Sequence, residues 1–268
     1  MSGSERVTLV LLWTVAALVF GALYIPVLLV VFQSFFVTGG PSIDFSTFGF
    51  QWYASLAQNA DILRALRNSL IVGASAVALS MTMALAIAYY MKLGRRAGRT
   101  LVEAVIALPF VLPPIITGIS LLVMLRWLGV PNSLWTILAG HAVLVLAVIY
   151  RMISVRLDAL EDSQIEAALD LGAGHLRTFV EIVLPRLRSA MVTGGLLAFT
   201  LSFDETLITF FLAGSEATVP LRLWSMLRVG FSPEVNAFAT VLLAATAVLT
   251  IAVAAGLRNE FDPASSGQ

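Results

Sequence analysis

The stretch EAALDLGAGHLRTFVEIVLP occupies residues 166–185 and lies between long runs that carry almost no charge. Five titratable side chains alternate with apolar residues in it: Glu166, Asp170, His175, Arg177 and Glu181. Gly172 and Gly174 interrupt the pattern, and glycine readily adopts the left-handed conformation that ends a helix. We therefore predict two short amphipathic helices joined by a tight turn, outside the apolar spans.

The composition of the whole chain indicates an integral membrane protein. Of its 268 residues, 59% are hydrophobic and only 12% are charged, and the mean hydropathy is +0.93. Soluble domains carry about 25% charged residues. The formal net charge of zero gives no sign of a nucleic-acid partner, and the absence of cysteine excludes disulfides and thiolate metal sites.

Long charge-free gaps predict the membrane spans, because about 20 apolar residues cross a bilayer as a helix. These runs are far longer than the ~9–11 residues of a barrel strand. We predict an all-α membrane protein with six transmembrane helices, at residues 7–32, 68–90, 101–125, 134–151, 190–212 and 236–257. The first run could be a cleaved signal peptide, but it exceeds the ~7–15 apolar residues of such segments, so a retained helix is predicted.

The lysines and arginines predict the orientation of these helices. With the amino terminus inside, eleven of them lie on the cytoplasmic side and five outside, and cytoplasmic loops are enriched in both residues. We expect both termini and the 166–185 stretch to be cytoplasmic.

The chain is expected to be organised in three parts. Residues 1–65 hold the first helix and an aromatic-rich outer loop, which we interpret as an interfacial helix lying on the outer leaflet. Residues 66–257 form the helical core and include the long cytoplasmic connection 154–189. Residues 258–268 are short and polar, and we predict a disordered cytoplasmic tail.

The order of residues in the opening stretch resembles a known motif. Glu166-Ala167-Ala168 is followed at the motif's spacings by Gly172, Ile182 and Leu184-Pro185. This is similar to the EAA loop of binding-protein-dependent ABC importer permeases, in which the pattern is EAA, three residues, G, nine residues, I, one residue and LP. The resemblance implies a type I (MetI-like) permease fold in the bacterial inner membrane.

In that family the EAA loop carries a coupling helix that sits in a cleft of a cytoplasmic ATPase. The resemblance therefore implies an ATPase-coupling role for five residues: Glu166, Ala167, Ala168, Asp170 and Gly172. The small alanines would allow a close approach, and the two carboxylates lie one turn apart, where a basic partner residue could bind them. The alternative is that Glu166 is only a solvated helix charge.

Other stretches resemble the permeases of spermidine/putrescine importers: ALPFVLPPIITG at 107–118, NSLWTILAGH at 132–141, LSFDETLITFFLAG at 201–214 and VPLRLWSMLRVGFSPEVNAFAT at 219–240. This resemblance implies half of a pathway for a polyamine. It also implies a homologous permease in a heterodimer, two cytoplasmic ABC ATPase subunits that bind ATP-Mg, and an extracytoplasmic solute-binding protein. The acids after Phe203 are Asp-Glu, where the family often has Asp-Asp, so another amine, an amino-acid-like solute or an opine stays open.

The two acids inside the fifth predicted helix need water, a cation or a partner, because a charge in a bilayer costs at least a few kcal/mol. Asp204 lies about 21 Å along that helix from Ala190. On a helical wheel, Thr200, Asp204 and Phe211 share a stripe, and we predict that they line the substrate pathway. Glu205 lies on a stripe of small residues and is assigned to the pathway or to a helix interface. The alternative places both acids in the outer headgroup region.

The remaining candidates are weaker. Pro109, Pro113 and Pro114 could kink the third helix and expose carbonyls to a cation, or they could simply bend a packing helix. His141 is interpreted as a satisfied packing histidine rather than a proton relay. No GxxxxGK[ST] motif, catalytic constellation or metal triad occurs, so we predict a non-catalytic subunit without a cofactor of its own.

Two other classes of function compete with the importer subunit. One is a stand-alone secondary transporter that uses Asp204 and His141 as ion-coupling groups, and the other is a structural membrane scaffold. A stand-alone transporter has no partner that would use a docking loop at 166–185. Acidic residues within the membrane argue against a structural scaffold.

Overall fold

The computed structural model describes residues 3–39, 42–93, 98–230 and 232–260. Within these ranges the chain is helical apart from one small hairpin and the connecting loops. Its elements follow in this order: α1 Gly3–Gln33, β1 Val37–Gly39, β2 Ser42–Asp44, a 3-10 turn Phe45–Thr47, α2 Gln51–Gln58, α3 Ala60–Lys92, α4 Arg99–Val111, α5 Pro114–Trp127, α6 Leu134–Asp158, α7 Asp162–Asp170, α8 His175–Thr178, a π-helical turn Phe179–Val183, α9 Leu184–Asp204, α10 Leu207–Leu212, α11 Val219–Val229 and α12 Pro233–Glu260.

The chain divides into two compact units, one formed by residues 1–60 with 223–268 and the other by residues 61–222. In the first unit α1 packs against α12, and α12 also contacts α2. The predicted interfacial helix corresponds to α2. Aromatic residues before it and in its first turn cluster with one another, and Phe35 contacts the rings of Phe48, Phe50 and Tyr53 at centroid distances of 5.8, 5.4 and 5.5 Å.

The predicted tail at 258–268 begins inside α12, which continues to Glu260. The helix has no proline after Pro233 to end it at residue 257. Residues 261–268 lie outside the described residues.

The second unit is built around α6, which contacts α4, α9 and α10. Three of its isoleucines are fully buried: Ile137, Ile149 and Ile153. Small and hydroxylated residues bring the neighbouring helices close. A Cβ on Gly194 of α9 would lie 3.2 Å from Cβ of Met152, and Ser80 of α3 donates a hydrogen bond to the carbonyl of Ala142 at 2.8 Å. Such contacts hold helices together in lipid, where the hydrophobic effect between them is weak.

The predicted count of six membrane spans is not confirmed. Four helical stretches in the described part of the chain are long and apolar enough to cross a membrane: Thr8–Gln33, Ala60–Lys92, Leu134–Asp158 and His175–Asp204. A fifth span is formed if α4 and α5 are counted together. The sixth predicted helix, 236–257, falls within α12, Pro233–Glu260.

The third predicted helix, 101–125, is broken. Its two halves, α4 and α5, meet at an angle of 105°. Leu112 is extended, with φ −69° and ψ 145°, because a residue before proline is disfavoured in the helical region. Neither Pro113 nor Pro114 has an N–H to continue the ladder. Thr117 Oγ1 donates to the carbonyl of Pro109 at 3.4 Å, which is the carbonyl that Pro113 leaves without its helical donor.

The fifth predicted helix, 190–212, is also divided. α9 starts earlier, at Leu184, and ends at Asp204, and the separate helix α10 begins at Leu207. Glu205 between them is extended, with φ −74° and ψ 115°. The sequence gives this break no proline or glycine, so its cause lies in side-chain contacts that are described below.

Candidate coupling loop and substrate pathway

The connection between α6 and α9 contains the first short helix, α7, and the tight turn predicted for it, but the second predicted helix is the start of a continuous helical stretch, His175–Asp204. Gly172 has φ +85°, a left-handed conformation that a residue with a Cβ adopts only under strain. The amide of Ala173 donates to the carbonyl of Ala168 at 3.0 Å, and that of Gly172 to Leu169 at 2.9 Å. This pair of bonds is a Schellman motif, which satisfies the last carbonyls of α7 and reverses the chain.

The apolar residues of this loop divide between two faces. Ile165 is buried and belongs to the core cluster around Ile153 and Leu157, so one face of α7 packs on the bundle. Leu171 and Leu176, beside the turn, are instead 90% and 77% exposed. Part of the apolar surface of this loop is therefore covered by the bundle, and part of it is exposed.

The residues assigned to coupling lie around this exposed tip. Glu166, Ala167, Asp170 and Gly172 are exposed, and Ala168 is half-buried. Together with the two leucines they form a surface with carboxylates on one helix and apolar side chains at its end. We call this surface the tip. Its coupling role is treated below as a proposal.

Two side chains of α3 hold the loop in place, and sequence reasoning missed both. Lys92 is only 8% exposed, donates from Nζ to the carbonyl of Leu160 at 2.9 Å and forms an ion pair with Asp162. The Tyr89 hydroxyl donates to the carbonyl of His175 at 3.1 Å, and its ring contacts Phe179 at a centroid distance of 4.9 Å. From the sequence alone, Lys92 is only one of the positive charges that flank an apolar run, so nothing indicates its contacts with the loop.

The loop continues into α9 without a break in the helix. The stretch His175–Asp204 counts as one continuous apolar helix of 30 residues. Pro185 lacks an N–H, and the turn before it is π-helical, with the amide of Leu184 donating to the carbonyl of Phe179. A displacement of α8 would therefore be carried along one helix to Asp204.

Asp204 is the last residue of α9, and its side chain is exposed. Thr200 is exposed one turn earlier, and Thr193 is exposed two turns before that. The last carbonyls of a helix carry partial negative charge, which adds to that of the carboxylate. The end of α9 therefore favours a cation.

The break after Asp204 is held by a chain of hydrogen bonds that crosses it. His141 of α6 is 1% exposed; its Nδ1 lies 2.8 Å from Ser202 Oγ and its Nε2 lies 2.8 Å from Thr209 Oγ1. Thr209 Oγ1 also donates to the carbonyl of Glu205 at 3.1 Å. A hydroxyl has one proton, so Thr209 accepts from Nε2, and the neutral ring accepts from Ser202 at Nδ1. The structure confirms His141 as a satisfied packing residue.

Glu205 has a structural role at the same place. Its Oε1 accepts a hydrogen bond from the amide of Ile208 at 2.9 Å, so the side chain caps the first turn of α10. Capping satisfies an amide that has no partner within the helix and places a carboxylate at the positive helix end.

The predicted stripe that joined Thr200, Asp204 and Phe211 ends at Asp204. The wheel assumed one continuous helix, whereas Phe211 lies on α10 after the break. Its ring packs on α5, where a Cβ added to Gly118 would lie 2.9 Å from Phe211 Cδ2. Its carbonyl accepts a hydrogen bond from Asn132 Nδ2 at 2.8 Å. The aromatic ring and the carboxylate are therefore not neighbours on one helix face.

Comparison with known proteins identifies the family. Residues 76–264 match the family described as binding-protein-dependent transport system inner membrane component, and this range includes α7 and the break after Asp204. The chain belongs to this family. It is thus a permease subunit of an ABC importer and a multi-pass protein of the inner membrane.

Characterised relatives agree with this assignment over most of their length. The permease is 32% identical to the spermidine/putrescine transport system permease protein PotC of Escherichia coli K12 over 235 residues, which cover 87% of this chain and 89% of PotC. It is 34% identical to the putrescine transport system permease protein PotI of the same organism over 247 residues, 88% of each chain.

Solved structures support the fold. The permease resembles a chain of a bacterial ABC transporter that imports the acidic polysaccharide alginate, with a TM-score of 0.71, 17% identity and coverage of 98% of this chain and 99% of that one. An amino acid ABC transporter crystallised with histidines gives a TM-score of 0.59 at 15% identity, covering 78% of this chain and 98% of that one. At these identities the likeness concerns the MetI-like permease fold alone.

Proposed function

We propose that this permease forms half of the translocation pathway of an ATP-driven importer for a small cationic solute of the polyamine class. It would pair with a homologous permease, two cytoplasmic ABC ATPase subunits that bind ATP-Mg and an extracytoplasmic solute-binding protein. The polyamine assignment rests on the names of the relatives PotC and PotI, which match most of the chain. A complex with a periplasmic binding protein is known for the alginate transporter.

The single observation that carries the mechanism is the exposed tip, held by α3 and continuous with α9. Glu166 and Asp170 offer carboxylates to a basic residue of the ATPase, while Leu171 and Leu176 supply apolar area that association would bury. The loop is anchored through Lys92 and Tyr89, so motion of the ATPase would reach α3 as well as the helix that ends at Asp204. In this proposal the termini and the tip face the cytoplasm.

The docking role is tested by purifying the complex with its ATPase from cells that express all subunits. Glu166→Ala combined with Leu176→Ser is expected to release most of the ATPase and to abolish uptake, because the variant loses a charge and an apolar contact at the tip. Glu181→Ala is the control for loss of a carboxylate, since Arg177, one turn earlier in the same helical stretch, already binds that carboxylate. Full ATPase retention and normal uptake in the double variant would sink the proposal.

The anchoring of the loop predicts a different defect. Lys92→Met leaves the tip intact but removes the bonds to Leu160 and Asp162. We expect the ATPase to stay bound and to hydrolyse ATP, while uptake falls at least about tenfold because the motion is no longer passed to α3. An equal loss of hydrolysis and uptake would count against an anchoring role.

The solute class is tested at the end of α9. Asp204→Asn removes a negative charge and keeps the shape of the side chain, so spermidine and putrescine uptake should fall while ATPase binding is unchanged. Thr200→Val changes the same exposed face without changing charge and should have a smaller effect. Unchanged polyamine uptake in Asp204→Asn would remove this residue from the pathway.

A further inference from the structure

A basic cavity lies beside the coupling loop and has no part in the function proposed above. Its volume is about 500 Å³, and it lies between the end of α6 and the start of α9. Three arginines line it together with small and apolar residues: Arg156, Arg186, Arg188, Ala159, Leu160, Pro185 and Ser189. All three arginine side chains are exposed.

The charges of this cavity are not balanced within the described part of the chain. None of the residues that line it is acidic, and none of its three arginines forms an ion pair with a described carboxylate. Arg156 Nε donates only to the carbonyl of Arg186, at 3.5 Å. Three like charges at one opening repel one another, and the attraction of an anion that binds among them offsets that repulsion. Guanidinium groups bind phosphate in a bidentate manner, which favours a phosphate over a simple halide.

The position of the cavity indicates a source for the phosphate. Arg156 lies in the last turn of α6, and Arg186 and Arg188 lie in the first turns of α9, so the cavity is at one end of two membrane helices. One turn further along α9, Val192 is 53% exposed. A basic pocket next to exposed apolar helix surface fits an anionic lipid, whose headgroup and chains lie at these two depths.

We propose that this cavity binds the phosphate group of an anionic phospholipid from the leaflet on the coupling-loop side. Leu160 and Pro185, the residues at which the loop leaves α6 and enters α9, both line the cavity. A bound headgroup therefore bridges the two ends of the loop and holds its base together. The cytoplasmic placement of this leaflet rests on the proposed function, whereas the phosphate chemistry does not.

The experiment measures lipid binding to the purified, delipidated transporter complex by native mass spectrometry. The probes are phosphatidylglycerol, phosphatidylcholine and inorganic phosphate. The variant Arg156→Gln/Arg186→Gln/Arg188→Gln should bind phosphatidylglycerol about a hundredfold more weakly than the wild type, at about fivefold for each basic residue lost. The control Arg64→Gln/Arg67→Gln/Arg126→Gln removes the same charge from exposed arginines outside the cavity and should keep the wild-type affinity. Phosphatidylcholine should bind equally to the wild type, the glutamine variant and the control variant.

A second variant guards against misfolding. Replacing the three arginines by lysine keeps the charge but removes the bidentate geometry, and we expect intermediate affinity for phosphatidylglycerol in a complex that assembles normally. Equal phosphatidylglycerol binding in the wild type and the glutamine variant would overturn the proposal. If inorganic phosphate at millimolar concentration displaces the lipid, the ligand is free phosphate and not a phospholipid. If the glutamine variant releases the ATPase while its lipid binding is unchanged, the arginines bind the ATPase and not a lipid.

This outcome is separable from that of the proposed function. Docking of the ATPase is measured on the Glu166 and Leu176 variants, and lipid binding is measured on the arginine variants. If docking fails and the arginine variants still lose phosphatidylglycerol, the cavity is a lipid site in a protein that couples by other means.

Discussion

The break between α4 and α5 and the break between α9 and α10 lie in helices that pack together, because α5 contacts α10, yet they arise from different chemistry. At the first, Pro113 and Pro114 lack the N–H groups that a continuous helix needs. At the second, every residue from Phe203 to Leu207 has an N–H, and side chains hold the chain open instead. The first break is built into the covalent chain, and the second depends on side-chain contacts.

This difference suggests which break can move. A proline bend keeps its missing donors in every state of the transporter. The contacts around Glu205 and His141 can exchange for a continuous helical ladder at a cost of a few hydrogen bonds, each with a net value of about 0.5–1.5 kcal/mol. We therefore expect the end of α9, where Asp204 lies, to be the adjustable break and the α4–α5 bend to be the fixed one.

The largest effect on stability is expected from His141→Ala, which breaks the side-chain connection across the second break. Ser202 and Thr209 would each lose a buried partner, and the free energy of unfolding should fall by about 2–4 kcal/mol. Thermal unfolding of the purified protein in detergent measures this change. The chain has one other histidine, the exposed His175, and His175→Ala should change stability by less than about 0.5 kcal/mol. Equal shifts for the two variants would contradict the assigned role of His141.

The sequence predicted the positions of the long apolar helices and the turn at Gly172, and the reason is local. Membrane spans need long apolar runs, and the Gly172 turn needs glycine, so both leave a signal in adjacent residues. The proline break was also foreseeable, because the missing donors are part of the residues themselves.

The second break could not be foreseen, since it depends on contacts between distant residues. His141 and Thr209 are 68 positions apart, and the partners Lys92 and Leu160 that fix the coupling loop are separated by the same distance in the chain. No local pattern records such pairs. The wheel that joined Asp204 to Phe211 was wrong for this reason: it extended a helix through a residue whose side chain caps the next one.

A smaller loss is expected from Gly140→Ala, which tests the packing of α10 on α6. A Cβ at this position would lie 2.6 Å from Cγ2 of Ile208 and 2.6 Å from Cδ1 of Leu212. The side chains of Ile208 and Leu212, or α10 itself, must shift, at a cost of about 1–3 kcal/mol in the free energy of unfolding. Gly174→Ala, which meets open space at an ordinary φ, is the matched control and should be nearly neutral. Unfolding curves in detergent measure both variants. If the curves of Gly140→Ala and Gly174→Ala coincide, α10 does not pack closely on α6.

Glu205 tests whether the second break is a cap or part of the pathway. Glu205→Ala removes the acceptor for the amide of Ile208 and should cost about 0.5–2 kcal/mol of stability. Glu205→Gln keeps an acceptor oxygen and should restore most of that loss. Polyamine uptake by the Gln variant then separates the two roles. Normal uptake assigns Glu205 to the cap, and a strong loss of uptake at normal stability assigns its charge to the pathway.

The smallest effect is expected at the first break, from Pro113→Ala. Pro114 still lacks its N–H in this variant, so the bend should persist and the free energy of unfolding should change by less than about 1 kcal/mol.

The chain has no cysteine, so cysteines that carry spin labels can be introduced at Leu101 and Trp127, which are both exposed. A straight helix would separate these positions by about 39 Å. Pulsed electron resonance should give a distance well below that value in the wild type and in Pro113→Ala, and a longer distance when Pro114 is also replaced by alanine. If Pro113→Ala alone gives the distance expected for a straight helix, the first break is no more fixed than the second.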